Sequence, residues 1–443
     1  MELAKLTEAM RNAGIVGAGG AGFPSYAKLN NTADTIILNC AECEPLLKLH
    51  RQVMRDYANE IMVALEEVAD ALDVQKVIIA IKGSYKEAIE AIKSQISSFK
   101  KIEIGILPET YPAGDEVITI YETTGRVVPP GSIPIAVGCI VYNVETMLNV
   151  YNAIKADKPV TKKFVTIAGE VKNPVTVEVP LGITVKELID LAGGLTREDV
   201  ALVGGGPMTG MLTSFSDVVT KTTNAILVLP ENNFVIEKRK ANKKVNFNRA
   251  RAACCDCRYC TDLCPRNHLG HPISPADFMT AAVSNTTENV KPFLDTLYCS
   301  ACGVCEMFAC TQGLSPRTLI AEYKSGLRKN GISRGEVVEP KPVLKDRSYR
   351  AISKHRLTTR LGLASYDVAA PIVPVDAKFG KVKIKLSQHI GAPCEATVKA
   401  GDAVKAGDVI AKTPDGKLGV WLHASIDGVV SDVSDGYITI TDK

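Results

Sequence analysis

The sequence predicts a multi-domain chain of α/β and α+β units, and three observations predict it. Helix and strand patterns alternate over the first third; a strand, helix, strand unit of roughly 70 residues follows; and a cysteine-dense segment then gives way to short strands between Gly-Asp turns. A length of 443 residues exceeds what one core supports, so roughly two to four domains are expected.

Taken in order, residues 1–155 carry the strand patterns TIILN (35–39), KVIIAIK (76–82) and KIEIGIL (101–107), with a long helix expected from Arg51 to Leu72. Near-continuous apolar strands between helices describe an α/β domain whose sheet is largely buried. Residues 156–230 contain KFVTIAGEVKNPVTVEVPLG, the helix VKELIDLAGG and VALVGGGPMTGML, the pattern of a small α+β, ubiquitin-like module. The polar, basic stretch 231–250 reads either as a linker or as a solvated helix face. A cysteine domain is expected over 245–330, then a Lys/Arg/Pro-containing connector, and a small β-sandwich over 372–443.

Lys and Arg number 52 against 49 Asp and Glu, a formal charge of +3. That balance argues against a nucleic-acid partner. The N-terminus MELAKLTEAMRNAG is amphipathic without the apolar core of a secretory signal, and no run of about 18 apolar residues follows. A cytoplasmic protein with no membrane insertion is expected. Its 13 cysteines then lie in a reducing compartment, where ligand spacing is more informative than disulfide arithmetic.

Cys254, Cys257, Cys260 and Cys264, the last followed by Pro265, have the x2-x2-x3 spacing of a bacterial ferredoxin run. Cys299, Cys302, Cys305 and Cys310 form a second set with an x4 final gap and Thr311 where proline is usual. In such runs three close thiolates hold one cubane and the fourth cysteine serves the other cluster. Cys254, Cys257, Cys260 with Cys310, and Cys299, Cys302, Cys305 with Cys264, are therefore expected to hold two [4Fe–4S] clusters. A zinc site is the alternative, but zinc pairs two CxxC knuckles, and the third cysteine suits a cubane better. Cys255 is out of register, and Cys139 and Cys394 read as core residues.

Near the N-terminus, Gly17-Ala18-Gly19-Gly20-Ala21-Gly22-Phe23-Pro24 is dense enough in glycine for backbone amides to approach a phosphate or a flat ring. It follows a helix pattern and not a strand, so it is no Rossmann fingerprint, and a tight packing turn fits it equally well. Acidic loops recur after strands at Asn39-Cys40-Ala41-Glu42-Cys43-Glu44-Pro45, Tyr111-Pro112-Ala113-Gly114-Asp115-Glu116 and Asn143-Val144-Glu145-Thr146.

Together these four loops resemble the flavin-binding subunit of respiratory complex I and its relatives, the RnfC subunits and the PduS-type cobalamin reductases. The resemblance spans the chain and implies a Rossmann-like FMN domain, an SLBB (β-grasp) module, a dicluster ferredoxin segment and a C-terminal barrel-sandwich module. It implies that Gly17, Gly19, Gly20, Lys28, Asn39, Glu42, Tyr111, Gly114, Asp115, Asn143 and Thr146 surround FMN, and that Phe23, Glu44 and Glu116 help hold NADH. Ala18 and Ala41 depart from the complex I protein, as do two clusters in place of one; all three suit the RnfC and PduS branch. His389-Ile390-Gly391-Ala392-Pro393 lies near the C-terminus, the PduS order and not the RnfC one. The turn Leu422–Gly428 lacks the lysine of lipoyl carriers, which favours a structural or docking role.

The implied activity is NADH oxidation, with electrons passed through FMN and the clusters to a one-electron acceptor. That acceptor is cobalamin or a corrinoid enzyme, with ferredoxin or another reductase as alternatives. An RnfC-like input subunit and a non-enzymatic electron conduit are the rival readings. A homo-oligomer or a larger complex, within the cytoplasm or a bacterial microcompartment, is the implied setting.

Overall fold

The computed structural model describes residues 1–284, 288–333 and 337–442. Its first sheet is parallel, with strands β1 (Thr35–Asn39), β2 (Lys76–Lys82) and β3 (Ile102–Leu107); a short strand β4 (Thr110–Tyr111) lies outside it, and β5 (Cys139–Asn143) completes it in the order β3-β2-β1-β5. Ile36, Ile37, Leu38, Val77, Ile79 and Ile81 are all buried, as strands covered by helices on both faces must be. The chain steps outward from β1 to β3 and returns to the other side of β1 for β5. The crevice at the carboxyl ends of β1 and β5 is thus a topological switch point, where open α/β sheets bind ligands.

The helix expected from Arg51 to Leu72 is two helices, Leu49–Asp56 and Ala58–Ala71. Tyr57 leaves helical geometry at φ −128° and ψ 32° and packs its ring against Phe164, centroids 6.2 Å apart. Phe164 belongs to the second sheet, so the break lets the helical layer dock on the neighbouring module.

That sheet contains β6 (Lys162–Gly169), β7 (Val175–Pro180), β8 (Val200–Gly204), β9 (Met211–Thr213) and β10 (Ala225–Pro230), with the helix Val185–Leu191 started by a Thr184/Glu187 capping box. The connector after the cysteines contributes to both earlier units: β11 (Ile352–Ser353) pairs with β4, and β12 (Ile372–Val373) adds parallel to β7. The stretch 231–250 is helical and not a linker. Asn233 and Asn242 cap the helices Phe234–Lys240 and Lys243–Ala253 through side-chain oxygens that accept from the first-turn amides.

The cysteine segment is a cluster of short helices around Phe278, whose ring meets Tyr323 edge-on at 5.1 Å. The C-terminal strands form two small antiparallel sheets, one including Lys381–Lys385, Gly428–Ser434 and Tyr437–Thr441. A fully buried lysine knits three units together: Lys221 Nζ donates to Gly14 O at 2.6 Å and to Trp421 O at 2.9 Å. Among the described residues no helix is long and apolar enough to cross a membrane.

Candidate functional site

Parallel pairing places Asn39 directly beside Asn143 at the ends of β1 and β5. Asn39 Nδ2 donates to Gly114 O at 2.8 Å, while its Oδ1 accepts from Ala41 N. Asn143 caps the helix Val144–Ala156 through Oδ1 and donates from Nδ2 to His50 Nε2 at 3.0 Å. The glycine-rich loop lies over this pair. Thr146 Oγ1 accepts from Ala18 N at 3.0 Å and donates to Val16 O, closing the loop onto the helix.

Glycine is needed here for close approach. A Cβ on Gly19 would fall 2.5 Å from Asn143 Nδ2, and one on Gly114 would fall 2.3 Å from Ala41 O. Gly20, by contrast, faces open space and is exposed. Along β5, Phe23, Lys28 and Glu116 line one cavity of about 300 Å3 with Ile133 and Ile135. Lys28 Nζ donates there to Glu116 Oε1 at 3.0 Å and to Val141 O at 2.8 Å.

Below the crevice, Glu42 is 4% exposed; its Oε2 accepts from His50 N and its Oε1 has no partner. The Lys82 ammonium is likewise buried without a hydrogen bond. Burial pulls its pKa down, opposed by Cys43, Glu109 and Glu42, and burial holds neighbouring Lys354 at about 8. Gly19, against Asn143 and His50, and Gly20, facing open space, are both exposed, a glycine cradle that fits a polar cofactor such as FMN supplied from outside the chain.

Three residues that the resemblance places at the cofactors have their polar groups at the seams between units. The Glu44 carboxylate accepts from Met208 N, Thr209 N and Thr209 Oγ1, so it holds the GGGPMTG loop; a Cβ on Gly206 would overlap it. Asp115 caps the helix Glu116–Thr124 and takes both of its 2.8 Å contacts to Arg266 from one guanidinium nitrogen. Tyr111, 5% exposed, donates its hydroxyl to Cys302 O at 2.6 Å. Burial pushes the phenol pKa well up, which keeps it a donor. His50, Lys82 and Arg266 carry no sequence motif and emerge only from the fold.

The thiols fall into two groups. Cys254, Cys257, Cys260 and Cys310 line one small cavity. Burial pushes Cys260 up to about 12, and Cys310, Cys257 and Cys254 add to it. In the second group burial raises Cys302, with Cys264 and Cys299 next to it, and raises Cys305, with Cys299, Cys302 and Cys264 around it. Burial thus keeps Cys260, Cys302 and Cys305 from ionising by themselves, and the cations that would offset it are what iron in a cubane provides. The x4 gap before Cys310 has a structural counterpart: Cys305–Ala309 form a π-helical turn. Such a turn absorbs one extra residue, so Cys310 arrives where an x3 spacing would bring it. Sγ of Cys310 then accepts from Leu314 N at 3.2 Å, and Sγ of Cys299 from Ala301 N at 3.3 Å.

Residues 10–152 match the Nuo51 FMN-binding domain, 164–212 the SLBB domain, 253–315 the 4Fe-4S dicluster domain and 369–443 the RnfC barrel sandwich hybrid domain. The chain is 40% identical over 437 residues to the cobalamin reductase PduS of Salmonella typhimurium, covering 98% of this chain and 96% of that one. It belongs to the PduS family. The PduS of Citrobacter freundii is 39% identical over 436 residues, again covering 98% and 96%. A component of the Na(+)-translocating ferredoxin:NAD(+) oxidoreductase complex of Acetobacterium woodii is 32% identical over 284 residues, 63% of this chain and 61% of that one. The chain is thus a flavin and iron–sulfur oxidoreductase with an FMN-binding domain and a dicluster domain, matched along nearly its whole length by PduS.

Proposed function

We propose that the chain oxidises NADH at the crevice between β1 and β5 and delivers the electrons, one at a time, through two [4Fe–4S] clusters to cobalamin or a corrinoid enzyme. The carrying observation is the contact between Tyr111 and Cys302, because it sets the second cluster loop against the loop that borders the crevice. FMN, when bound, supplies the change from two-electron to one-electron chemistry that nicotinamide and cubane each lack.

The residues of the chain do the positioning. Gly19 and Gly20 offer backbone amides, Asn39 and Asn143 fix the crevice floor, and Thr146 anchors the loop above it. Phe23, Lys28 and Glu116 provide the adjoining cavity for the nicotinamide nucleotide. Cys299, Cys302, Cys305 and Cys264, the set nearer the crevice, would hold one cluster, and Cys254, Cys257, Cys260 and Cys310 would hold the other; each cluster would supply one-electron chemistry. The clamp between Asp115 and Arg266, two residues from Cys264, keeps the inner cluster segment seated on the flavin domain. A cytoplasmic site of action, inside a microcompartment, belongs to the same reading.

Anaerobic purification with iron, sulfide and flavin analysis tests it. About eight iron and one FMN per chain are expected, as two cubanes and one flavin require, with NADH bleaching the flavin and cob(II)alamin being reduced. Full clusters with flavin that NADH leaves oxidised would reduce the chain to a conduit.

A further inference from the structure

His50 stands outside the four loops that border the crevice, as the second residue of the helix Leu49–Asp56. The fold nevertheless brings it to the crevice floor and holds it there from three sides. Its backbone N–H, one of the first-turn amides that a helix leaves unpaired, donates to Glu42 Oε2 at 3.2 Å. Its carbonyl accepts from the Cys40 thiol at 3.9 Å. Its ring meets Asn143, with 3.0 Å between Nε2 and Asn143 Nδ2.

The directions of these bonds fix the hydrogen of the ring. Asn143 Oδ1 accepts from Glu145 N at 3.0 Å, so the other end of that amide, Nδ2, faces His50. An amide nitrogen only donates, so Nε2 accepts and the ring carries its hydrogen on Nδ1. Turning the amide over would set two donors against each other at Glu145 N and uncap the helix Val144–Ala156.

Nδ1 is therefore a donor, and it has no hydrogen-bond partner among the described residues, although His50 is only 9% exposed. The ring edge that carries it faces the glycine-rich loop: a Cβ on Gly19 would fall 3.4 Å from Cε1, the carbon between the two nitrogens. Buried donors are paired in folded proteins, and a side chain that only filled the floor would serve as well without nitrogens.

We propose that His50 is a further residue of the flavin site: Nε2 holds the Asn143 amide in its donor orientation, and Nδ1–H donates to an oxygen of bound FMN. The inference rests on the reading that FMN occupies this crevice. The acceptor is a ring carbonyl or a phosphate oxygen, and riboflavin, which lacks the phosphate, tells the two apart.

The test uses the full chain with its clusters, stripped of flavin and titrated with FMN or riboflavin while flavin fluorescence is followed. His50→Phe keeps a flat ring and removes both nitrogens; its Kd for FMN should rise about a hundredfold, roughly tenfold for each hydrogen bond lost. His50→Gln places an amide oxygen near the position of Nε2 and restores the hold on Asn143, so its Kd should rise only about tenfold. Iron content should be unchanged in both. An equal loss with riboflavin assigns the acceptor to the ring, and a loss about tenfold smaller assigns it to the phosphate. Imidazole nitrogen NMR of the wild-type chain, with the His50 signals identified by their absence in His50→Gln, should show the hydrogen on Nδ1 and a shift there when FMN is added. An unchanged Kd in His50→Phe, a Kd in His50→Gln no tighter than in His50→Phe, or the hydrogen on Nε2 would overturn the assignment. A wild-type chain that takes up no FMN would instead overturn the flavin reading beneath it.

Discussion

Breaking the clamp between Asp115 and Arg266 separates its parts cleanly. The two side chains are 13% and 16% exposed, and removing one partner of a buried ion pair costs about 3–5 kcal/mol. Their residual exposure puts Arg266→Met near the lower end, about 3 kcal/mol. Asp115 has a second duty, accepting from Val117 N and Ile118 N at the start of its helix, and losing such a cap costs about 1 kcal/mol. Asp115→Asn keeps an oxygen for the cap and loses only the charge, so it should match Arg266→Met; Asp115→Ala should be worse by about 1 kcal/mol. Urea denaturation gives that order. Stopped-flow absorbance adds the functional half: in Arg266→Met, NADH should still bleach the flavin while cluster reduction slows. Wild-type stability and wild-type cluster reduction in Arg266→Met would refute the clamp, and equal effects of Asp115→Ala and Asp115→Asn would refute the cap.

Lys163 and Glu145 form a pair only 1% and 2% exposed that joins the flavin domain to the SLBB module; Lys163→Met should cost about 3–5 kcal/mol, and Glu145→Gln added to it should recover part, measured by the same denaturation. Gly22 has φ 73°, and a Cβ there would meet Thr222 at 2.9 Å beside the His389-Ile390 turn, whose Ile390 N donates to Gly22 O. Gly22→Ala adds about 1–2 kcal/mol of left-handed strain, and flavin released on gel filtration should increase. Burial brings Lys221 down to about 7 and His423 to about 3. Both groups bind fewer protons folded than unfolded, so stability should rise with pH, between about 3 and 6.5 from His423 and between about 7 and 10.5 from Lys221. A Tm series should lose the upper increment in Lys221→Met.

What could be read from the sequence was whatever depends on local pattern. TIILN and KVIIAIK are β1 and β2 to the residue, because a doubly covered parallel strand writes itself as an apolar run. The cysteine registers are equally local. The break at Tyr57 was hidden because its cause, Phe164, lies in another module. The helices of 231–250 had their Asn caps in plain view, but a lysine-rich solvated face looks like a linker. The seams were beyond reach: Asp115 and Arg266 are 151 positions apart, and Glu44 and Thr209 are 165 apart. A carboxylate near a cofactor motif and a carboxylate holding two domains together look alike until the fold brings up the partner. The extra residue before Cys310 had no local explanation either, since a π turn is defined by hydrogen bonds and not by composition.

The proposed order of transfer runs from the crevice to the cluster of Cys302 and then to the cluster of Cys257. Cys302→Ala and Cys257→Ala, each reduced with NADH and frozen for electron paramagnetic resonance at a series of times, test it directly. Loss of the inner cluster in Cys302→Ala should leave the outer one oxidised through the turnover time, whereas Cys257→Ala should still show rapid reduction of the inner cluster. Prompt reduction of the outer cluster in Cys302→Ala, or failure of the inner one in Cys257→Ala, would contradict that order.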